Sequence, residues 1–372
     1  MAASAVATIR PAALRNNLAR VRMAAPDAAV LAVVKANAYG HGVEHVVSAL
    51  DDADAFGVAR IAEALELRDL GVDRPIVVMS EALDAADFDV ARAADLKLVI
   101  HSEAQVELLA GSRGAALGVW LKLDSGMGRL GIRPARFAAA LERLRGSAAV
   151  DGEPVLMTHF ASADEPDNPD TERQLARFAE ALSDSAGDWA GDVSLANSAG
   201  ILRWPASTTT GSRLRYAGRN WVRPGLMLYG VSPVAGESPS AAGLEPAMVV
   251  SATLIDIRHL PAGSHVGYGG EWEAPCDSRI GVLNAGYADG YPWRIPTGTP
   301  TRVAGEIAPV VGRISMDMIS IDLTDSPAAA VGDSVELWGE DPHVAELAAR
   351  VGQSPYELLT GVGTRVKRVV AA

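Results

Sequence analysis

Over the first 230 residues or so, short runs rich in valine, isoleucine and leucine alternate with longer stretches of helical pattern. No other feature constrains the fold as strongly. The short runs are Val30–Val34, Ala55–Val58, Ile76–Met79, Leu98–Ile100, Leu117–Leu123, Pro154–His159, Val193–Ala196 and Trp221–Tyr229. They are apolar on both faces, as strands covered on both sides must be. Between most of them, apolar residues recur at three- and four-residue spacing. Ala62, Leu65, Leu67 and Leu70 follow the second run, and Leu175, Phe178 and Leu182 follow the sixth. Eight such repeats predict an α/β chain whose N-terminal part is a closed (β/α)8 TIM-like barrel. An open doubly wound sheet is the alternative topology.

The pattern changes at Ala235-Gly236-Glu237-Ser238-Pro239-Ser240, a small, polar, proline-containing stretch that reads as a linker. Beyond it come short runs punctuated by glycine and proline: Met248–Ile257, Ser278–Asn284, Ala308–Val311, Met318–Leu323 and Ser334–Trp338. Only Val344–Val351 and Pro355–Leu359 look helical. The expectation is a barrel over residues 1–235 and a mostly β domain over residues 236–372.

Composition excludes several classes of function. The chain of 372 residues is 49% apolar and carries a net charge of −13. Such a surface repels nucleic acid and anionic lipid, so neither is expected as a partner. The one cysteine, Cys276, can form no internal disulfide, and no ligand cluster for zinc is present. The first residues lack the basic segment and long apolar run of a signal peptide, and no apolar run reaches the roughly 20 residues of a membrane span. A cytoplasmic protein without a metal is the expectation.

Barrel active sites sit at the carboxyl ends of the strands. The first strand runs into Lys35, followed by Ala36-Asn37-Ala38-Tyr39-Gly40-His41-Gly42. A lysine ending an apolar strand is desolvated, which lowers its pKa and suits it to a Schiff base. A lysine that merely snorkels to the rim has the same surroundings. Tyr39 stands close enough to reach a phosphate. The fifth strand carries Lys122, and its loop Ser125-Gly126-Met127-Gly128-Arg129 can offer a planar guanidinium fork to a carboxylate. His159 ends the sixth strand. Asn197-Ser198 follows the seventh and suits either a helix cap or an anion. Arg223-Pro224-Gly225-Leu226 follows the start of the eighth. Loops after strands seven and eight often bind phosphate in barrels.

The string Val34–Gly42 resembles the cofactor-lysine motif of the alanine racemase family. The resemblance continues through Leu121–Gly131, Thr158–Ala161, Asn197–Ala199, Val222–Gly225, Val266–Gly269, Gly286–Gly290, Gly312–Asp317 and Pro355–Glu357, and so covers essentially the whole chain. It implies a pyridoxal 5'-phosphate enzyme that interconverts L-alanine and D-alanine by two-base racemisation, supplying D-alanine for peptidoglycan. Lys35 would bind the cofactor and serve the D face; Tyr268 would serve the L face from the partner subunit of a homodimer with shared sites. Tyr39, Asn197, Ser198, Gly225, Leu226 and Tyr356 would hold the phosphate or its surroundings, and His159 would belong to the cofactor site. Arg223 would meet the pyridine nitrogen. Arg129 and Met316 would contact the substrate carboxylate, and Tyr287 would narrow the entrance. Lys122 matches a position often carbamylated in the family. One departure stands out: Ser194 occupies a position where the family commonly has a histidine supporting the pyridine-facing arginine.

Other functions remain to be weighed. A non-catalytic cofactor carrier would lack the second domain. A decarboxylase of the same fold type would use a second-domain cysteine, and Cys276 lies in no such motif. A serine or broad-specificity racemase shares every motif above. A dehydrogenase is disfavoured because no Gly-x-Gly-x-x-Gly follows the first strand.

Overall fold

The computed structural model describes residues 5–186, 189–209 and 214–371. The strands β1 (Val6–Ile9), β2 (Ala29–Val33), β3 (Ala55–Val58), β4 (Ile76–Val78), β5 (Leu96–Ile100), β6 (Val119–Lys122), β7 (Val155–Met157), β8 (Val193–Ser194), β9 (Trp221–Val222) and β10 (Met248–Leu260) carry the framework. Strands β2 to β9 form one parallel sheet in the order β8-β7-β6-β5-β4-β3-β2-β9. Its two edges then meet. Val193 bridges to Asn220 and Asn197 to Arg223, and the Arg223 N–H donates to the Ala196 carbonyl at 2.9 Å. The sheet therefore curls into a barrel, and the open doubly wound alternative falls away.

The eighth run is shorter than the sequence suggests. Its ladder stops at Val222 because Pro224, two residues on, has no N–H to donate. Leu226–Tyr229 coils instead into a 3-10 turn, capped by Gly230 at φ 84°. Leu117 contributes only an isolated bridge to Val150.

Bulky side chains close the floor of the barrel. Leu31, Val77, Val99, Trp120, Met157 and Trp221 pack there, with the Trp120 and Trp221 rings 5.8 Å apart. A cavity opens toward the carboxyl ends of the strands.

Strand β1 lies in the other sheet. It pairs antiparallel with β10, Val6 facing Ser251, and parallel with Lys367–Val370. The expected barrel over residues 1–235 took in residues 6–9, but these belong to the second sheet, because their hydrogen-bond partners lie far along the chain. The second sheet is otherwise antiparallel. The expected strand at Ala308–Val311 is centred earlier, at Glu306–Pro309, in a hairpin with Pro300–Val303 whose turn holds Ala304 and Gly305 at positive φ. Helices Val344–Val351 and Pro355–Thr360 form where helical spacing indicated. Buried Asn17 joins the first helix to the stretch between the sheets: it donates to the Leu228 and Glu245 carbonyls and accepts from the Glu245 N–H, all within 2.9 Å. No helix among the described residues is long and apolar enough to cross a membrane.

Candidate active site

All but three of the candidate residues line a single cavity of about 360 Å³ at the carboxyl end of the barrel. A volume of that size suits a small cofactor together with a small substrate. The exceptions are Tyr268, Tyr287 and Met316.

Lys35 stands just beyond β2 and opens into this cavity. Burial lowers the pKa of its amine; Arg129 adds to the effect and the Glu63 carboxylate opposes it. The next four residues, Ala36 to Tyr39, all have φ near +52°, a left-handed turn made without glycine. Such geometry costs about 1–2 kcal/mol per residue, so it persists only where contacts overdetermine it. Here Asn37 Oδ1 accepts the Val43 N–H at 2.7 Å, and Glu63 Oε1 accepts the Ala36 N–H at 2.7 Å. Gly40 finishes the turn at φ 81°, pressed so closely on the second domain that a Cβ there would lie 2.0 Å from the Leu359 carbonyl oxygen. The turn swings Tyr39 against Tyr229, with ring centroids 4.7 Å apart, and places it 5.8 Å from the Tyr356 ring.

Ser198 and Gly225 form a polar corner of the same cavity. Ser198 Oγ accepts the Gly225 N–H at 2.9 Å and also the Met227 N–H. Asn197 caps the short helix that follows it, its side chain accepting from the Gly200 N–H. A Cβ on Gly225 would sit 2.5 Å from the Tyr39 hydroxyl, so glycine is needed there for space. Tyr356, from the second domain, closes the same corner.

Arg223 is buried at the cavity's inner wall. It donates to Ser194 Oγ and to the carbonyls of Thr158 and Leu195. Burial brings its pKa down to about 10, so it remains a cation at neutral pH. Ser194, where the resemblance implies a histidine, thus supports Arg223 here. His159, beside Arg223, is pushed well below the usual imidazole range by burial and then by four surrounding cations, and it is neutral.

Lys122 is 6% exposed, and its pKa falls to about 8 through burial and then through Arg223 and Arg129. No carboxylate pairs with it among the described residues. Asp124 instead folds the adjoining loop, accepting the Gly126 and Gly128 N–H groups at 3.0 Å and so turning Arg129 into the cavity mouth.

The three outlying candidates are exposed on the second domain: Tyr268 at 70%, Met316 at 52% and Tyr287 at 40%. Tyr268 is presented on a 3-10 turn between Gly267 and Gly269, both at positive φ. Tyr287 and Met316 belong to neighbouring loops, tied by the Ala288 N–H to the Met316 carbonyl at 3.1 Å. Arg365 braces these loops, bonding both oxygens of the buried Asp289 and one of Asp317.

Among the described residues, four cations and one carboxylate, Asp164, line the cavity. That balance, with the Gly225 cradle, fits the phosphate of pyridoxal phosphate, and Lys35 fits its aldehyde. Among the described residues no group of His, Cys, Asp or Glu could hold a metal ion. Sequence reasoning missed Met127 and Asp164, which line the cavity, and Glu63, which lies behind it. Glu63 had one signal: an acid in the first turn of a helix.

Comparison with known proteins gives the same result. Residues 9–233 match the model for the alanine racemase N-terminal domain and residues 247–370 that for the C-terminal domain. An alanine racemase of Shewanella woodyi is 46% identical over 97% of each chain, and one of Yersinia pestis 45% identical over 98% of each. The crystal structure of a biosynthetic alanine racemase from Pseudomonas aeruginosa superposes with a TM-score of 0.90, at 45% identity and with both chains fully covered. An alanine racemase from Acinetobacter baumannii gives 0.89 at 36% identity, again over the whole of both chains. The chain belongs to the alanine racemase family, and its reaction is the pyridoxal-phosphate-dependent interconversion of L-alanine and D-alanine.

Proposed function

We propose that Lys35 and Tyr268 are the two bases of this racemisation and that Tyr268 reaches the site from a second copy of the chain. When bound, pyridoxal phosphate supplies an electron sink that acidifies the Cα–H of the substrate. Lys35 Nζ, made less basic by burial, takes or returns the proton on one face. The phenolic oxygen of Tyr268 does so on the other. Ser198, Gly225, Tyr39 and Tyr356 bind the phosphate. Arg223, a donor that stays charged, would hold the pyridine nitrogen and would leave it without a proton. Arg129 and the Met316 backbone hold the substrate carboxylate, and Tyr287 narrows the way in. A carbamate on Lys122 would be an anion between Arg129 and Arg223, matching the charge its surroundings lack.

The observation that carries the reading is the opening of the Lys35 amine into the same cavity as the Ser198–Gly225 cradle. The exposure of Tyr268 supports the second part, because a phenol on the outside of one copy is free to enter another. The unpaired thiol of Cys276 supports a reducing compartment, the cytoplasm.

Mixed dimers test the whole scheme. Lys35→Ala and Tyr268→Phe should each abolish most activity. Coexpressed, they should regain about a quarter of it, because half the dimers are mixed and each mixed dimer holds one intact site. If no activity returns on coexpression, the two bases do not come from different copies.

A further inference from the structure

We propose that Glu63 is a positioning residue for Lys35, its carboxylate bridging the left-handed turn that follows the lysine to the neighbouring β3–helix junction. This rests on the reading of Lys35 as the cofactor lysine. Glu63 does not line the cavity, so it acts only through the backbone and field around the lysine.

The geometry is a three-amide bridge. Glu63 Oε1 accepts the Ala36 N–H at 2.7 Å. Glu63 Oε2 accepts the Ala59 N–H at 2.7 Å and the Arg60 N–H at 3.2 Å. Ala36 is the first residue of the strained turn and the immediate neighbour of Lys35. Ala59 and Arg60 lie at the start of helix Ile61–Asp69. Four consecutive non-glycine residues at positive φ are strained, and hydrogen bonds to a charged acceptor offset part of that strain. The far end of the turn has separate supports, Asn37 Oδ1 and Arg368 Nε, which donates to the Gly40 carbonyl at 2.8 Å. The near end, where the lysine departs, has Glu63.

The same carboxylate supplies a negative charge near the amine. The charged groups bearing on Lys35 are Arg129 and Lys122 from the β6 strand and loop and Glu63 from its helix; His159 is neutral. Glu63 is the acid among them. It sustains the basicity that burial and Arg129 erode.

Glutamine is the same size as glutamate but presents an amide –NH2 to one set of N–H donors and removes the charge. The cofactor-free forms of the unaltered chain, Glu63→Gln, Glu63→Asp and Lys35→Ala are mixed with pyridoxal phosphate over a range of pH. The product is fixed with borohydride and located by peptide mass. In Glu63→Gln the alkaline plateau of the labelling rate at Lys35 should fall about tenfold, the loss of one charge-assisted bond. Its pH midpoint should also drop by about half a unit, the loss of a partly screened charge. Glu63→Asp keeps the charge but is too short for the bridge, so it should lower the plateau and leave the midpoint in place. An unmoved midpoint in Glu63→Gln overturns the proposal, since loosening alone would produce it; so does an unaltered plateau in Glu63→Asp. Undiminished labelling of Lys35→Ala overturns the reading of Lys35, and the proposal with it.

Discussion

Arg223 donates a guanidinium hydrogen to Ser194 Oγ, and Ser194 passes its own hydrogen to the Trp221 carbonyl at 2.7 Å. A small hydroxyl thus relays between the buried cation and the backbone of β9. Ser194→Ala would leave one N–H of Arg223 unmet in a dry site, at a cost of about 1–3 kcal/mol. The denaturation midpoint of the cofactor-free protein should fall accordingly, and kcat should fall several-fold as Arg223 loosens. An unchanged midpoint would mean that Thr158 and Leu195 hold Arg223 without help.

Gly225→Ala tests the cradle. The new methyl would meet the Tyr39 hydroxyl at 2.5 Å, and Tyr39 is wedged against Tyr229 with little room to retreat. The dissociation constant for pyridoxal phosphate, read by equilibrium dialysis, should rise at least about tenfold. The fold should survive, because the clash is with the tip of a side chain at a cavity wall.

Lys122, with a pKa near 8, is largely neutral in mildly alkaline solution, the form that adds carbon dioxide. Protein stripped of bicarbonate should lose activity and regain it when bicarbonate is restored at alkaline pH. Labelled bicarbonate should give a carbamate carbonyl resonance that disappears in Lys122→Ala.

His41 is buried against Tyr229, with Nδ1 on the Tyr39 carbonyl and a pKa pushed down to about 4. The unfolded chain protonates this histidine below about pH 6.5, whereas the folded chain resists until about pH 4. Stability from this group is therefore complete above about pH 6.5 and is lost as pH falls toward 4, by on the order of 3 kcal/mol. Urea titrations across that window should fall more steeply for the unaltered protein than for His41→Asn. Parallel slopes would place the acid sensitivity elsewhere.

Most of the barrel could be read from the chain because each buried strand must be apolar on both faces, and Ala29–Val33 or Ile76–Val78 can satisfy that in few other ways. The ninth strand was overdrawn because Met227, Leu228 and Tyr229 are as apolar as strand residues, and only Pro224 hints at the break. The cavity residues were legible through their places at strand ends. The left-handed turn was not, since Ala36, Asn37 and Ala38 are ordinary helix or loop residues and their φ values come from tertiary clamps. Glu63 was invisible for the same reason: its position in a helix's first turn explains it locally, while its bond to Ala36 is long-range. Tyr268 illustrates a further limit. Nothing within one chain brings it to the cavity.

Strand β1 waits longest for its companions. The barrel segments can associate as they emerge from the ribosome, but Val6–Ile9 finds its antiparallel neighbour only at β10 and its parallel neighbour only at Lys367–Val370. Until residues 367–370 have been made, one edge of β1 is bare. The pairing of residues 6–9 with 367–370 thus closes only once both have been made, and a chain halted short of that point would carry an open strand edge prone to association with other chains.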